Sequence, residues 1–196
     1  MNTNILLCGV GGQGTVLASK LLAQAGMQNG LFARTAETIG MAQRGGSVVS
    51  HVRIGDEKTH SPLIPKNSAD LIIAFEPAEA VRNIDYLKKD GAMVVAKKAI
   101  MPVTASLLET NYNADEMLTY LNANFEKLII VDTDKICDEC GSPKVMNVAL
   151  LGACVAFSNE ITTLNYDNIK LALTKKVKEA FLQMNLKALK LGNMQK

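Results

Sequence analysis

Gly9, Gly11 and Gly14 stand at the spacing G-x-G-x-x-G, with Gly12, Gln13 and Thr15 among and after them. Glycines at that spacing let a backbone turn tightly and bring its amides close to a ligand, because no Cβ intervenes. Such amides bind anions, and the first turn of a following helix adds its own unpaired N–H groups. A second loop, with Gly40, Gln43, Arg44, Gly45 and Gly46, sets adjacent glycines beside a guanidinium. Its planar paired donors suit an anion. From composition alone an anion clamp and a turn with a solvated arginine are equal readings. The chain offers no Ser–His–Asp or Cys–His arrangement, no G-K-S/T phosphate loop and no metal-ligand cluster. A binding corner without an acid, base or nucleophile suggests a subunit holding part of a ligand whose chemistry occurs elsewhere.

The elements that must position this corner follow from hydrophobic period. Ile5–Cys8 is a buried strand, and Val16, Leu17, Leu21, Leu22 and Ala25 recur at helical spacing behind it. Leu31–Glu37, Ser47–Ile54, Ala69–Phe75, Gly91–Ala96 and Leu128–Asp132 read as further strands. Glu76 opens a short helix with Pro77 in its first turn, and Pro77, Glu79 and Arg82 read as helix-start chemistry on a solvated face. Asp132, at the carboxyl end of its strand, could face the ligand crevice of an open sheet or serve as a helix cap, the commoner role. Between Met101 and Asn124 the signal weakens to one helix, Asp115–Leu121, as in an insertion over a sheet edge. Val145–Phe157 is apolar nearly all round and should be a buried helix, with Asn147 its one polar exception. That side chain must be satisfied by backbone or by a ligand. Asp167–Lys178 and Glu179–Leu191 are amphipathic, and Asn185 fits the exposed side of the pattern. The order implies one α/β domain over 1–196, a three-layer α/β/α Rossmann-like fold with a largely parallel sheet that a mixed strand could join.

Bulk properties narrow the partners. The 196 residues carry a net charge of +2 and no Trp, which argues against nucleic acid and against an anionic membrane surface. No apolar run reaches bilayer length and the amino terminus lacks a signal-peptide pattern, so a cytoplasmic location is expected. Cys8 and Cys154 sit in apolar runs and read as core. Cys137 and Cys140 form a single C-x-x-C, read as reduced surface thiols beside a helix. A dinucleotide-binding unit would place an acid at the end of its second strand. Here Arg34 and Thr35 stand there, with Glu37 slightly late. Arg34 could accommodate a 2′-phosphate, so a self-contained NADP-dependent reductase is an alternative, and a scaffold whose glycines serve only packing is another.

Several stretches in order, Leu7–Gly14, Gly40–Gly55, Ser61–Pro65, Ala74–Ala80, Asn147–Ala153 and Asn185–Gly192, resemble the gamma-type subunits of 2-oxoacid:ferredoxin oxidoreductases. Within them the likeness is greatest to the small beta subunits of the indolepyruvate type. The resemblance covers essentially the whole chain. It implies a non-autonomous subunit of an enzyme that oxidatively decarboxylates indolepyruvate or another arylpyruvate to an acyl-coenzyme A. A large alpha subunit would carry thiamine diphosphate and the iron–sulfur clusters, and ferredoxin would take the electrons. This chain would contribute to the coenzyme A site through Gly12, Gln13, Gly14 and Thr15, with Gln43, Arg44 and Gly45 as a further wall. Asn147 and Asn185 fall where the family places polar ligand contacts. Related subunits often carry His before Gly40, where this chain has Ile39, so a branched-chain or 2-oxoglutarate substrate stays open. The apolar face that meets the large subunit would be exposed in the isolated chain, which could then self-associate as a homodimer.

Overall fold

The computed structural model describes residues 2–38, 45–55, 61–100, 112–158 and 160–195. In chain order these form β1 (Thr3–Val10), α1 (Thr15–Gln28), β2 (Phe32–Thr38), β3 (Ser47–Gly55), β4 (Ala69–Ala74), α2 (Pro77–Arg82) and β5 (Leu87–Ala96). Then follow α3 (Ala114–Asn124), β6 (Leu128–Val131), α4 (Thr133–Cys140), α5 (Met146–Cys154), α6 (Tyr166–Lys176) and α7 (Glu179–Asn193). The strands make one sheet in the order β2-β3-β1-β4-β5-β6. β1, β4, β5 and β6 are mutually parallel, while β3 runs antiparallel between β1 and β2. The sheet is therefore mixed, by one strand.

Alternation along the strands divides the core in two. Ile5, Leu7, Leu71, Ile73, Ala92 and Val94 face α1 and the helices α4 to α7, and Leu6, Cys8, Ile72, Ala74, Met93 and Val95 face α2 and α3. Both faces are covered, as a sheet of near-continuous Ile, Leu and Val requires. Leu118 and Leu121 of α3 are buried on the second face, so the expected edge insertion includes a covering helix. β5 begins at Leu87, four residues before the expected Gly91. The polar run from Lys88 to Asp90 had obscured its pairing with β4. The largely apolar α5 has every residue buried, Asn147 included, and Asp132 does cap α4 by accepting the Lys135 amide.

Where β1 and β4 lie side by side, their chains part. β1 leads into α1 on one face and on toward the β2 edge; β4 leads into α2 on the opposite face and on toward β6. That is the topological switch point of an open α/β sheet, where a crevice opens beyond the carboxyl ends of the strands.

Candidate functional site

The glycine corner fills this switch point. Gly12 and Gly14 have φ of 102° and 87°, conformations that a side chain strains. A Cβ on Gly12 would meet none of the described residues within 4 Å, whereas one on Gly14 would come within 2.8 Å of Asn147 Nδ2. Gly14 is the N-cap of α1, with no side-chain cap and no acid in the first turn. The amides of Gly12, Gly14, Thr15 and Val16 have no acceptor among the described residues. Uncapped amides at a helix N-terminus form an anion site.

The side chains around that loop are largely spent on holding it. Gln13 Oε1 accepts the Val10 amide at 2.6 Å and Nε2 donates to the Phe75 carbonyl at 2.7 Å, which ties the end of β1 to that of β4. Thr15 is buried. Asn147, 3% exposed, accepts the Val148 amide at 2.9 Å and points Nδ2 at the Gly14 carbonyl, 3.5 Å away. Gly45 has φ 82°, and its neighbour Gly46 accepts the Gly11 amide at 2.9 Å, so the described end of the second loop, Gly45–Gly46, rests on the first. Gln43, Arg44 and Ile39 lie outside the described residues.

Asn185 is 9% exposed, contrary to the exposed reading, because α7 crosses α5 where Gly152 and Gly192 let their backbones touch. Its Nδ2 donates to the Phe181 carbonyl at 2.8 Å. With Leu17, Lys144, Lys176, Lys178 and Phe181 it lines an open groove of about 410 Å³. Leu17 belongs to the first turn of α1, so this groove starts beside the glycine corner. The three lysines have no carboxylate partner among the described residues. They come from two segments, Lys144 ahead of α5 and the Lys176–Lys178 run at the junction of α6 and α7, and nothing in the sequence announced their convergence.

Two other expectations change. Glu79 is 4% exposed and Glu76 1%, so the start of α2 is not a solvated face. Glu79 Oε2 accepts the Ser47 hydroxyl at 2.5 Å. Burial raises the Glu76 carboxyl, against the pull of amides from Glu79, Ala78 and Ile100. It also pushes the Cys8 thiol well up, helped by both carboxylates. Cys137 is buried rather than at the surface, with its thiol raised to about 11 chiefly by desolvation, an inert rather than a reactive cysteine. Glu37, the late acid after β2, accepts the Ser19 hydroxyl of α1 at 3.1 Å. Among the described residues no helix is long and apolar enough to cross a membrane.

The chain as a whole has relatives of known family. Residues 4–194 match the family model described as pyruvate ferredoxin/flavodoxin oxidoreductase. The indolepyruvate oxidoreductase subunit IorB of Archaeoglobus fulgidus is 38% identical over 193 residues, 98% of this chain and 94% of that one. The pyruvate oxidoreductase subunit PORC of Thermotoga maritima superposes with a TM-score of 0.71 at 20% identity, over 99% of this chain and 96% of that one. The 2-oxoglutarate:ferredoxin oxidoreductase of Magnetococcus marinus, solved with 2-oxoglutarate, coenzyme A and succinyl-CoA, gives a TM-score of 0.70 at 23% identity. There the match spans 98% of this chain but 30% of the other. The motifs from Leu7 to Gly192 thus resemble what the whole sequence matches, and the chain belongs to the pyruvate ferredoxin/flavodoxin oxidoreductase family.

Proposed function

We propose that this chain is the small subunit of a thiamine-diphosphate-dependent 2-oxoacid:ferredoxin oxidoreductase and forms one wall of its coenzyme A site. The substrate class is an arylpyruvate such as indolepyruvate, in keeping with the A. fulgidus relative. The observation that carries the reading is the uncapped first turn of α1 opening beside a groove lined by three lysines and by Leu17, Phe181 and Met184. Free amides and lysines suit phosphates, while Leu17, Phe181 and Met184 suit the less polar length of the same molecule. In this reading Gly12 to Thr15 and Gly45 receive the ligand mainly through backbone, and Asn147 and Asn185 shape the walls. Gln43 and Arg44 are proposed to complete the pocket from the second loop.

An iron–sulfur cluster does not fit the donor set of the described residues. Among the described residues no three His, Cys, Asp or Glu side chains converge, and Cys137 and Cys140 share one helix with raised thiols. The clusters and thiamine diphosphate are assigned to a large alpha subunit, which supplies the decarboxylation and the electron path to ferredoxin. This chain's residues bind and orient the acyl acceptor.

Co-expression with the larger subunit tests the reading. The chain alone should be inactive, and the pair should oxidise a 2-oxoacid with a coenzyme A dependence that Lys144→Glu and Lys176→Glu weaken. Full coenzyme A-dependent turnover by the larger subunit alone would overturn it. So would tight NADPH binding by this chain with no effect of coenzyme A.

A further inference from the structure

Behind the glycine corner, on the α2 side of the sheet, two buried carboxylates make hydrogen bonds that reach both glycine loops. Glu79 Oε2 accepts the Ser47 hydroxyl at 2.5 Å, and Ser47 follows Gly46, whose carbonyl holds the Gly11 amide at 2.9 Å. The other Glu79 oxygen faces Arg82 Nε at 3.2 Å. The Glu79 carbonyl accepts Cys8 Sγ at 3.3 Å and Asn83 Nδ2 at 2.8 Å. Glu76 Oε2 accepts the Glu79 amide at 3.1 Å, and Oε1 takes the Tyr112 hydroxyl. Phe75, just before Glu76, supplies the carbonyl that anchors Gln13. The short run from Phe75 to Glu79 therefore grips the corner twice, at Gln13 directly and at Gly11 through Ser47 and Gly46.

Starting α2 explains Glu76 as a cap acceptor, but it does not explain Glu79. A glutamate in a first turn gains its dipole interaction while solvated, and burying it is costly unless its oxygens are bonded. Here burial is retained, and one oxygen is committed to the first residue of β3, 32 positions away in sequence. What this arrangement fixes is the spacing between the two glycine loops.

We propose that Glu79, through Ser47 and Gly46, and Glu76, through the frame of α2, are positioning residues for the anion-binding corner. They set how well the loop amides converge on a phosphate without touching it. The effect on ligand affinity rests on the coenzyme A reading above; the effect on loop order does not.

The test uses the full chain with Ser47→Ala, Glu79→Ala, Glu79→Gln and Arg82→Ala. Amide exchange at Gly11 and through residues 9–13 should quicken about tenfold or more in Ser47→Ala and Glu79→Ala, as expected for losing a hydrogen bond to a charged group. The β4 amides should be unchanged. The double variant should be no worse than either single one, because both cut the same path. Glu79→Gln keeps an acceptor for Ser47 and should restore slow exchange, and Arg82→Ala should leave the corner alone. Coenzyme A affinity should fall in the same two variants and in neither control. Unaltered exchange at Gly11 in the exposed-site variant Ser47→Ala, or an equal effect in Arg82→Ala, would overturn the proposal. The expected exchange pattern in a chain that binds no coenzyme A would uphold the positioning and remove the ligand assignment instead.

Discussion

Gln13 and Phe75 join the two strands that part at the switch point: Nε2 of Gln13 donates to the Phe75 carbonyl at 2.7 Å. The same side chain accepts the Val10 amide through Oε1 at 2.6 Å. An amide is suited to this because it donates and accepts at once. A residue whose type and place suggested ligand contact thus spends its polar atoms closing the crevice floor, and its contribution to a ligand comes through the backbone it holds.

Gln13→Ala should therefore cost about 1–3 kcal/mol, since it leaves a part-buried amide and a carbonyl without their partners. Gln13→Glu should do at least as badly at neutral pH, because it sets a carboxylate oxygen against the Phe75 carbonyl. Urea denaturation would read this as a lower midpoint with unchanged slope. Equal midpoints for all three chains would mean the bridge carries no stability.

Gly12 and Gly14 should separate on substitution by alanine. Both have positive φ, at 102° and 87°, and each pays a backbone strain of about 1–2 kcal/mol. Gly12→Ala meets none of the described residues, whereas Gly14→Ala also displaces the Asn147 amide, 2.8 Å from the new Cβ. Gly14→Ala should be the more destabilised, and adding Asn147→Ala should recover part of the excess. The non-additivity in a thermal or urea double-mutant cycle measures that contact.

The glycine corner, the buried α5 and the Asp132 cap were legible because each is written in local pattern: spacing, period, or one polar residue at a boundary. Strand order was not, since the reversal of β3 beside β1 leaves no mark on the alternation within either strand. Glu79 shows the limit most clearly. A glutamate in the first turn of a helix reads as solvated chemistry whether or not it is buried, and its partner Ser47 lies on another strand. Asn185 failed for a related reason: its burial depends on the close crossing of α5 and α7, which two glycines in separate helices permit. Lys144 and the Lys176–Lys178 run are unremarkable apart and share one groove only when two distant segments meet.

Glu76 gives a pH dependence with a definite sign. Its folded carboxyl is raised above the ordinary 4.5, first by desolvation, so the fold favours the protonated form. The stability this contributes is present below the ordinary value and is lost as pH rises through the raised one. Glu76→Gln stays neutral and can still accept the Glu79 amide. It should equal or exceed the parent at neutral pH, with the advantage shrinking toward pH 4.5. A series of urea midpoints across that range checks it, and a pH-independent difference would rule Glu76 out as the titrating group.

Gly192→Ala should destabilise the protein even though alanine is the better helix former by about 1 kcal/mol. Its Cβ would fall 2.0 Å from the Ala149 carbonyl oxygen, and on the facing helix a Cβ at Gly152 would fall 2.3 Å from that of Leu189. Both neighbours are backbone, so neither can rotate away, and α5 and α7 must separate. Overpacking of this kind costs about 1–3 kcal/mol, which outweighs the propensity gain. Asn147 and Asn185 ride on these two helices, so a melting point lowered by Gly192→Ala should come with weaker coenzyme A binding. An exposed helix position offers the contrast: Lys190→Ala, two residues earlier on the solvent side, keeps the crossing and should leave both measurements near the parent's.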